Sequence, residues 1–427
     1  MPVTQSGGSF EWRIVATDLP APTGGIACHV VRWKGARARR LRLTVFPGSV
    51  VMKRWKLELA ALLLAVSPTA AAAQGYSLTL GSPTFHPYNG TKMASGVTRI
   101  LGNDNGVVQI LDVSGMSYTT QNLALPNGAT LFNSFGLSPN GRFAVATVDN
   151  GAGTGRAVLW DLSQTNPTPQ YIPLANPITS GQFGIAVTDL GVVAGYDNGQ
   201  AFSGTALGST VLQQGPLNTS LAFGINQVGS NTYAFGSAYD ASGLSLPSLW
   251  INGVLSFLPT NGGIDGVVRG LSANGQYAVG AVDGYMSYWD LTLGTQSYVL
   301  DPLGNKVDGF FTSVLSSGLM AGNLANGGTG MWFPGMSSIM STNQFFQSYL
   351  NRTLTYTPNE TWAVWDEGNG QFGMANIASG HLEVGFDPAL GGTVAPEPAT
   401  LALLGTGLLG IGGAARRRRR KQPTSRV

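Results

Sequence analysis

The chain has 427 residues, a formal net charge of +3, one cysteine and 60 glycines. A single cysteine excludes an intramolecular disulfide framework, and the abundance of glycine argues against long helices. The charge is unevenly spread, because residues 74–395 contain 17 acidic and 7 basic side chains, a net charge of −10. Such an acidic body argues against a nucleic-acid partner.

The first 51 residues are rich in arginine and contain Cys28. They precede a segment with the layout of a signal peptide, and signal peptides begin chains. We therefore predict that translation starts at Met52 and that residues 1–51 are an artefactual or unstructured leader. The alternative is a translated segment that binds nucleic acid through its arginines.

Three features follow one another from Met52: a basic start, an apolar run over residues 59–66 and a tract of small residues. This is the order of a secretory signal peptide. We predict a signal peptide over residues 52–73. Its cleavage site is expected to contain the small residues Ala71 and Ala73 and to leave Gln74 as the first exported residue.

A short pattern recurs along the predicted exported body, residues 74–390, and its clearest copies read GLSPNGRFAVA and GLSANGQYAVG. The five copies, clearest first, start at Gly136, Gly270, Gly224, Gly184 and Ser313. An aromatic anchor follows each copy, and successive anchors are 42, 48, 39 and 43 residues apart. The anchors are Trp160, Phe202, Trp250, Trp289 and Trp332. Leu111 is a candidate anchor of an earlier copy, and residues 360–386 are a candidate last copy.

Each repeat predicts short strands joined by tight turns, since Asn-Gly and Asp-Gly pairs tolerate φ > 0 and close hairpins. In one copy the alternation of Tyr277, Val279 and Ala281 predicts a strand with one buried face. The next strand is expected to carry Trp289 into the seam between repeats. We predict an all-β repeat architecture, and favour a β-propeller of six or seven blades. An open β-solenoid or a pair of sandwiches is the alternative.

Parts of this pattern resemble the HAF repeat of bacterial extracellular proteins. The residues that carry the resemblance are the run Gly224 to Gly229 (GINQVG), the run Gly195 to Phe202 (GYDNGQAF) and the pair Leu249-Trp250. Gln200 stands where the HAF family has histidine. The resemblance implies a β-repeat fold and an exported setting more than it implies an activity.

Residues that could carry chemistry are few. The body has two histidines, His86 and His381, and neither has a second histidine or a cysteine at ligand spacing. The usual nucleophile, metalloprotease, phosphate-binding and dinucleotide-binding motifs are missing from the sequence. We therefore expect no catalytic residues, no metal site and no cofactor.

Two groups of carboxylates suggest alternatives to that expectation. Asp366 and Glu367 are adjacent acids near tryptophans, as in a glycosidase cleft, but neighbours in a strand point to opposite faces. Asp-Asn-Gly starts at Asp104, Asp149 and Asp197. These triplets favour type I′ turns, and weak calcium binding is the alternative.

The C-terminal region consists of three parts in a fixed order. The triplet Pro396-Glu397-Pro398 keeps the chain extended. An uncharged run over residues 399–415 follows; as a helix these 17 residues would reach roughly 26 Å, slightly short of a hydrocarbon core. The last part is a cluster of six cations that would stop transfer across a membrane. The cations are Arg416, Arg417, Arg418, Arg419, Arg420 and Lys421.

This order resembles the PEP-CTERM sorting signal of Gram-negative bacteria, which membrane proteases called exosortases process. The resemblance implies that residues 391–427 form the sorting signal, with a transmembrane helix at 399–415. It also implies that Pro396, Glu397 and Pro398 are the recognition positions. An ordinary tail anchor is the alternative.

Together these features predict an exported, non-enzymatic protein of the cell surface or extracellular matrix. The resemblance implies sorting by an exosortase, transient anchoring in the inner membrane and a link to exopolysaccharide or biofilm. A secreted propeller enzyme or binding module acting on polysaccharide is the main alternative. A calcium-stabilised adhesion module is a third.

Overall fold

The computed structural model describes residues 75–390, with gaps at 83, 151–153, 176–180, 357, 359–360 and 377–379, and three short strands nearer the N-terminus. The chain separates into two compact units, Met1–Ala71 and Ala72–Val427. The described part of the first unit is one three-stranded sheet of β1 (Val15–Ala16), β2 (Ala27–His29) and β3 (Arg42–Thr44). The predicted signal peptide lies outside the described residues.

The described part of the second unit contains seven four-stranded antiparallel sheets, which we call blades 1 to 7 in chain order. Blade 1 contains β5 (Phe85–Lys92), β6 (Thr98–Asp104), β7 (Val107–Ser114) and β8 (Ser117–Asn122). Blade 2 contains β9 (Thr130–Leu137), β10 (Phe143–Asp149), β11 (Gly155–Asp161) and β12 (Gln170–Tyr171). Blade 3 contains β13 (Gln182–Val187), β14 (Val193–Asp197), β15 (Gln200–Thr205) and β16 (Gly208–Val211).

The remaining blades have the same strand order. Blade 4 contains β17 (Ser220–Val228), β18 (Asn231–Tyr239), β19 (Ser245–Ile251) and β20 (Val254–Phe257). Blade 5 contains β21 (Gly266–Leu271), β22 (Tyr277–Val282), β23 (Tyr285–Asp290) and β24 (Thr295–Tyr298). Blade 6 contains β25 (Gly309–Val314), β26 (Met320–Leu324), β27 (Thr329–Trp332) and β28 (Met340–Ser341). Blade 7 contains β29 (Thr361–Gly368), β30 (Gln371–Asn376), β31 (His381–Phe386) and β4 (Tyr76–Thr79).

The first strands of successive blades contact one another, and β29 of blade 7 contacts β5 of blade 1. These seven strands therefore surround a common axis, and the fold is a seven-bladed β-propeller. The predicted propeller is confirmed, with seven blades rather than six. The open solenoid and the pair of sandwiches are wrong, because the last blade packs on the first.

Blade 7 closes the ring with a strand from the opposite end of the chain. β4 pairs antiparallel with β31, and Tyr76 lies opposite Val384 in the register. Leu80, the residue after β4, is fully buried, and its backbone N–H donates to the Gly380 carbonyl at 2.7 Å. We call β4 the closure strand, because it supplies the fourth strand that the C-terminal part of blade 7 lacks.

One repeat of the sequence corresponds to one blade, and the aromatic anchors lie in the third strands. The predicted early anchor, Leu111, lies in β7 of blade 1, and the predicted last copy forms β29 to β31. Trp289 packs with Phe235 and Leu249 of the preceding blade, so its expected place in the seam is confirmed. Its indole N–H donates at 2.7 Å to the Pro259 carbonyl, in the link that enters its own blade.

The expected alternation along β22 is wrong. Only Tyr277 is partly exposed, and the five residues that follow it are buried. Ala278 and Val282 belong to the core shared with blade 4, whereas Val279 belongs to the core shared with blade 6. Neighbouring blades cover both faces of this strand, which leaves no solvent face to be polar.

The two clearest repeat copies, in blades 2 and 5, contain a turn with the same hydrogen bonds. In blade 2 the Asn140 side chain accepts the backbone N–H of Arg142 at 2.9 Å, and the Ser138 hydroxyl accepts that of Phe143 at 2.9 Å. Ser272 and Asn274 repeat this arrangement in blade 5. This turn explains why the serine and the asparagine recur two residues apart.

Among the described residues there is one α-helix, α1 (Thr342–Leu350), which lies between blades 6 and 7. It starts with a capping box of Ser341 and Gln344 and ends at Asn351 in the left-handed conformation. Its Phe345 and Phe346 are fully buried against both blades. No helix of the described part is long and apolar enough to cross a membrane. The predicted span at 399–415 lies outside that part.

Replacing Trp289 with phenylalanine is expected to destabilise the protein by about 1–3 kcal/mol, because the Pro259 carbonyl loses its donor inside the seam. Equilibrium unfolding in urea, followed by circular dichroism, measures this loss. Leu293→Ala is the matched control, since Leu293 lies in the same blade and is 72% exposed. An equal loss in both variants would contradict a specific role for the indole N–H.

Candidate functional site

Both ends of the propeller leave the ring at one face. Successive strands of a blade run in opposite directions, so the turns after first strands and those after third strands lie at the same face. We call it the terminal face, because β31 ends there and the closure strand begins there. The predicted sorting residues, Pro396 to Pro398 and the basic cluster after the apolar run, lie outside the described residues. The structure shows instead where the segment that carries them starts.

The last described residues are fixed to the ring. The buried Asp387 carboxylate accepts the Ser317 hydroxyl at 2.5 Å and the Ala389 backbone N–H at 2.9 Å. Burial raises the pKa of Asp387, and these hydrogen bonds oppose that rise. Leu390, which is 60% exposed, ends a 3₁₀ turn (Pro388–Leu390). The chain is therefore held to the propeller up to the residue before the predicted sorting signal.

A buried carboxylate joins the closure strand to the rest of blade 7. Glu383 of β31 is fully buried and forms an ion pair with Arg352. It also accepts the Ser77 hydroxyl of the closure strand at 2.6 Å and the Tyr356 hydroxyl at 3.0 Å. Burial raises the pKa of Glu383 and lowers that of Arg352, whereas their mutual attraction opposes both shifts. This cluster stabilises the closed ring rather than forming an open site.

The two histidines of the body lie in different blades. His381 belongs to β31, and its ring stacks on Tyr356 with centroids 4.2 Å apart. His86 belongs to β5 of blade 1. Among the described residues no group of three His, Cys, Asp or Glu side chains could hold a metal ion.

Asp366 and Glu367 point in different directions, as expected for strand neighbours. Glu367 is 5% exposed, accepts the Trp365 indole N–H at 2.7 Å and pairs with Lys92 at 2.9 Å. Asp366 is exposed and accepts the Gly368 backbone N–H. The structure therefore does not bring these two carboxylates together on one substrate bond.

Two of the three Asp-Asn-Gly triplets are type I′ turns, as predicted. The asparagine and glycine have φ of 51° and 83° after Asp104, and of 50° and 73° after Asp197. Asp197 is buried and accepts the Ala175 backbone N–H at 3.0 Å. The glycine of the triplet at Asp149 lies outside the described residues.

The first strands of the blades, which are the innermost ones, share an irregularity at the same strand position. In five of them the antiparallel ladder skips the fourth residue, a β-bulge that re-aims its side chain. The skipped residues are Tyr88, Ile185, Phe223, Arg269 and Thr312. Of these five, Arg269 alone carries a charge.

The guanidinium of Arg269 lies among aromatic rings of both neighbouring blades. Its Cζ atom is 5.1 Å from the ring centroid of Phe223, on β17, and 4.5 Å from that of Phe310, on β25. Burial lowers the pKa of Arg269. The sequence analysis did not identify Arg269, Phe223 and Phe310 as a candidate site. The sequence feature that could have singled out Arg269 is the scarcity of cations, since the body contains only seven lysine and arginine residues.

Two shallow grooves of about 310 and 250 Å³ lie at equivalent seams of the ring. The larger runs past Trp289 between blades 4 and 5, and the smaller past Trp250 between blades 3 and 4. Because both follow the repeated tryptophan anchor, they are a product of blade packing.

Residues 394–420 match the PEP-CTERM protein-sorting motif. The motif indicates an exported protein that is anchored in a membrane and processed by an exosortase, which agrees with the resemblance found in the sequence. The match does not extend to the repeats of the body. No curated protein matches the chain.

Several solved structures are similar to the chain at low identity. The β-propeller domain of Myceliophteria thermophila Cps50 (Swd1) is 11% identical, over 72% of this chain and 99% of that one, with a TM-score of 0.48. A streptogramin B lyase is 12% identical, over 73% and 97%, with a TM-score of 0.47. Staphylococcus aureus virginiamycin B lyase is 12% identical, over 73% and 98%, with a TM-score of 0.46. At these identities the activities of those proteins do not carry over to this chain.

Proposed function

We propose that the mature protein is a non-enzymatic β-propeller of the cell surface or extracellular matrix of a Gram-negative bacterium, linked to exopolysaccharide. The observation that carries the proposal is the sorting motif at residues 394–420, directly after the propeller. In this view a signal peptide over residues 52–73 directs export. The repeats are then a divergent form of the HAF type.

The position of the motif supports a membrane-anchored stage in which the propeller lies close to the bilayer. Eight residues, 391–398, join the last described residue, Leu390, to the predicted span. Fully extended, eight residues reach at most about 26–29 Å. An exosortase acting at Pro396 to Pro398 would therefore work beside the terminal face.

The engagement of the buried acids supports a non-enzymatic role. The described part buries four acids. Glu367 and Glu383 each pair with a cation, whereas Asp197 and Asp387 accept hydrogen bonds from backbone N–H groups or a hydroxyl. A glycosidase needs two carboxyl groups free to flank one bond. A binding module for polysaccharide is the second candidate, and the observation that favours it is the partly exposed residue Arg269 on an innermost strand.

Replacing Pro396, Glu397 and Pro398 together with alanine is expected to leave the protein uncut in the membrane fraction, because the recognition positions are lost. Fractionation and mass spectrometry of both ends of the protein measure this. The wild type is expected to start at Gln74 and to lose the basic cluster.

The matched control replaces Gly391, Gly392 and Thr393 with alanine, which alters the same link outside the matched motif. This control is expected to be processed like the wild type. Normal processing of the first variant would refute exosortase recognition at the triplet. A wild-type protein found intact in the cytosol would refute the whole proposal.

A further inference from the structure

We propose that Arg269 forms a binding site for a carboxylate group at the axis of the propeller. This site goes beyond sorting and surface display, and it deepens the second candidate function by naming the chemistry of the ligand. The proposal rests on the surroundings of one guanidinium on β21.

Apart from the exposed Lys306, Arg269 is the one cation of the body without a polar partner in the described part of the chain. Four of the other six form ion pairs with carboxylates. Arg156 donates to the Ile172 carbonyl, and Lys306 is exposed over two tyrosine rings. The Nε atom of Arg269 is buried and lacks a hydrogen-bond partner, as do those of Arg156 and Arg352, but in those two arginines other nitrogens donate to a carbonyl or a carboxylate. A buried donor left unpaired is costly and rare in folded proteins.

The neighbours of Arg269 leave its hydrogen-bonding edge for a ligand. Phe223 and Phe310 interact with the guanidinium through their ring faces, and such contacts use the π system rather than the in-plane N–H groups. The planar guanidinium can then donate two parallel N–H bonds to one carboxylate. The residue is partly exposed, and β21 is the innermost strand of its blade, so we place the ligand on the axial side of the guanidinium.

A monoanion fits this site better than a phosphate. Arg269 is the one charged side chain among the five skipped residues of the innermost strands. A dianion would keep an uncompensated negative charge next to the aromatic rings, inside a body with a net charge of −10. A carboxylated sugar supplies one negative charge and a neutral ring, and we therefore assign a uronate-type ligand to the site.

The test measures binding of sodium glucuronate to the purified full chain in detergent, by calorimetry and by the shift in melting temperature. Glucose and sodium chloride at equal ionic strength are the reference ligands, and inorganic phosphate is the competing anion. Wild type is expected to bind glucuronate in preference to all three. Arg269→Gln is expected to weaken binding at least tenfold. Arg269→Lys is expected to weaken it less, because it keeps the charge and loses the planar fork.

Arg142→Gln is the matched control, because Arg142 is a half-exposed arginine already paired with Asp161. It is expected to bind glucuronate like the wild type. If Arg269→Gln does not fold, the Arg269→Lys variant and the comparison with phosphate still test whether Arg269 binds a carboxylate. Equal affinity of wild type and Arg269→Lys, tighter binding of phosphate, or no binding of glucuronate by the wild type overturns the assignment. Each of these outcomes leaves exosortase sorting untouched.

Discussion

Replacing Arg352 with methionine is expected to lower the free energy of unfolding by about 3–5 kcal/mol, the usual cost of leaving a buried charge without its partner. The orphaned charge is Glu383, which is fully buried inside blade 7. Its remaining partners, the hydroxyls of Ser77 and Tyr356, carry no charge. Urea unfolding at pH 7 measures the loss. Arg142→Gln, at a half-exposed pair, is expected to cause far less.

The same variant is expected to regain stability in acid. Burial already raises the pKa of Glu383 in the wild type, and removing the cation raises it further. A carboxyl whose pKa is higher in the folded state than the unfolded value of about 4.3 favours folding when protonated. Its stabilising effect is complete below the unfolded pKa and is lost as the pH rises through the folded pKa. A destabilisation that is equal at pH 4 and pH 7 would contradict this account.

Deleting residues 75–80 is expected to abolish cooperative unfolding. The deletion removes the closure strand, leaves β31 as an unpaired edge and takes away the fully buried Leu80. Thermal unfolding followed by circular dichroism, together with size-exclusion chromatography, measures the outcome. We expect a broad transition and association through the open blade.

A milder variant separates loss of packing from loss of the strand. Leu80→Ala keeps the closure strand and is expected to cost about 2–5 kcal/mol with a cooperative transition. Leu207→Ala, at a side chain that is 96% exposed, is expected to change nothing. A sharp, unshifted transition in the deletion variant would show that the ring does not depend on the closure strand.

The repeat pattern predicted the blades because each blade encodes its own turns and anchor. Trp160, Trp250 and Trp289 occur once per repeat, and each lies in a third strand. Serine and asparagine mark the turn after the first strand in two copies. Such local signals define a unit, but they do not limit the number of units. The sequence therefore left the blade number open between six and seven.

The features that the sequence did not predict depend on contacts between distant parts of the chain. The closure strand, YSLT, has no turn or anchor of its own, and its partner lies at the far end of the body. The pairing of Glu383 with Arg352 likewise depends on how blade 7 meets the segment after α1. Arg269 looks like an ordinary strand residue until its bulge and the rings of Phe223 and Phe310 are seen together. A repeated sequence pattern does not reveal these contacts, because each of them joins residues from different repeats or from segments outside the repeats.

The closure strand affects the order in which the propeller can fold during export. If export starts at the N-terminal end, the strand that arrives first must wait for a partner that arrives last, since Ser77 meets Glu383 306 residues later. During that interval its backbone edge is unpaired and open to other chains. Blades 1 to 6 need no such wait, because their four strands are consecutive. In a chain exported in that order, sealing of the ring would be the last step of folding, because β4 pairs with β31.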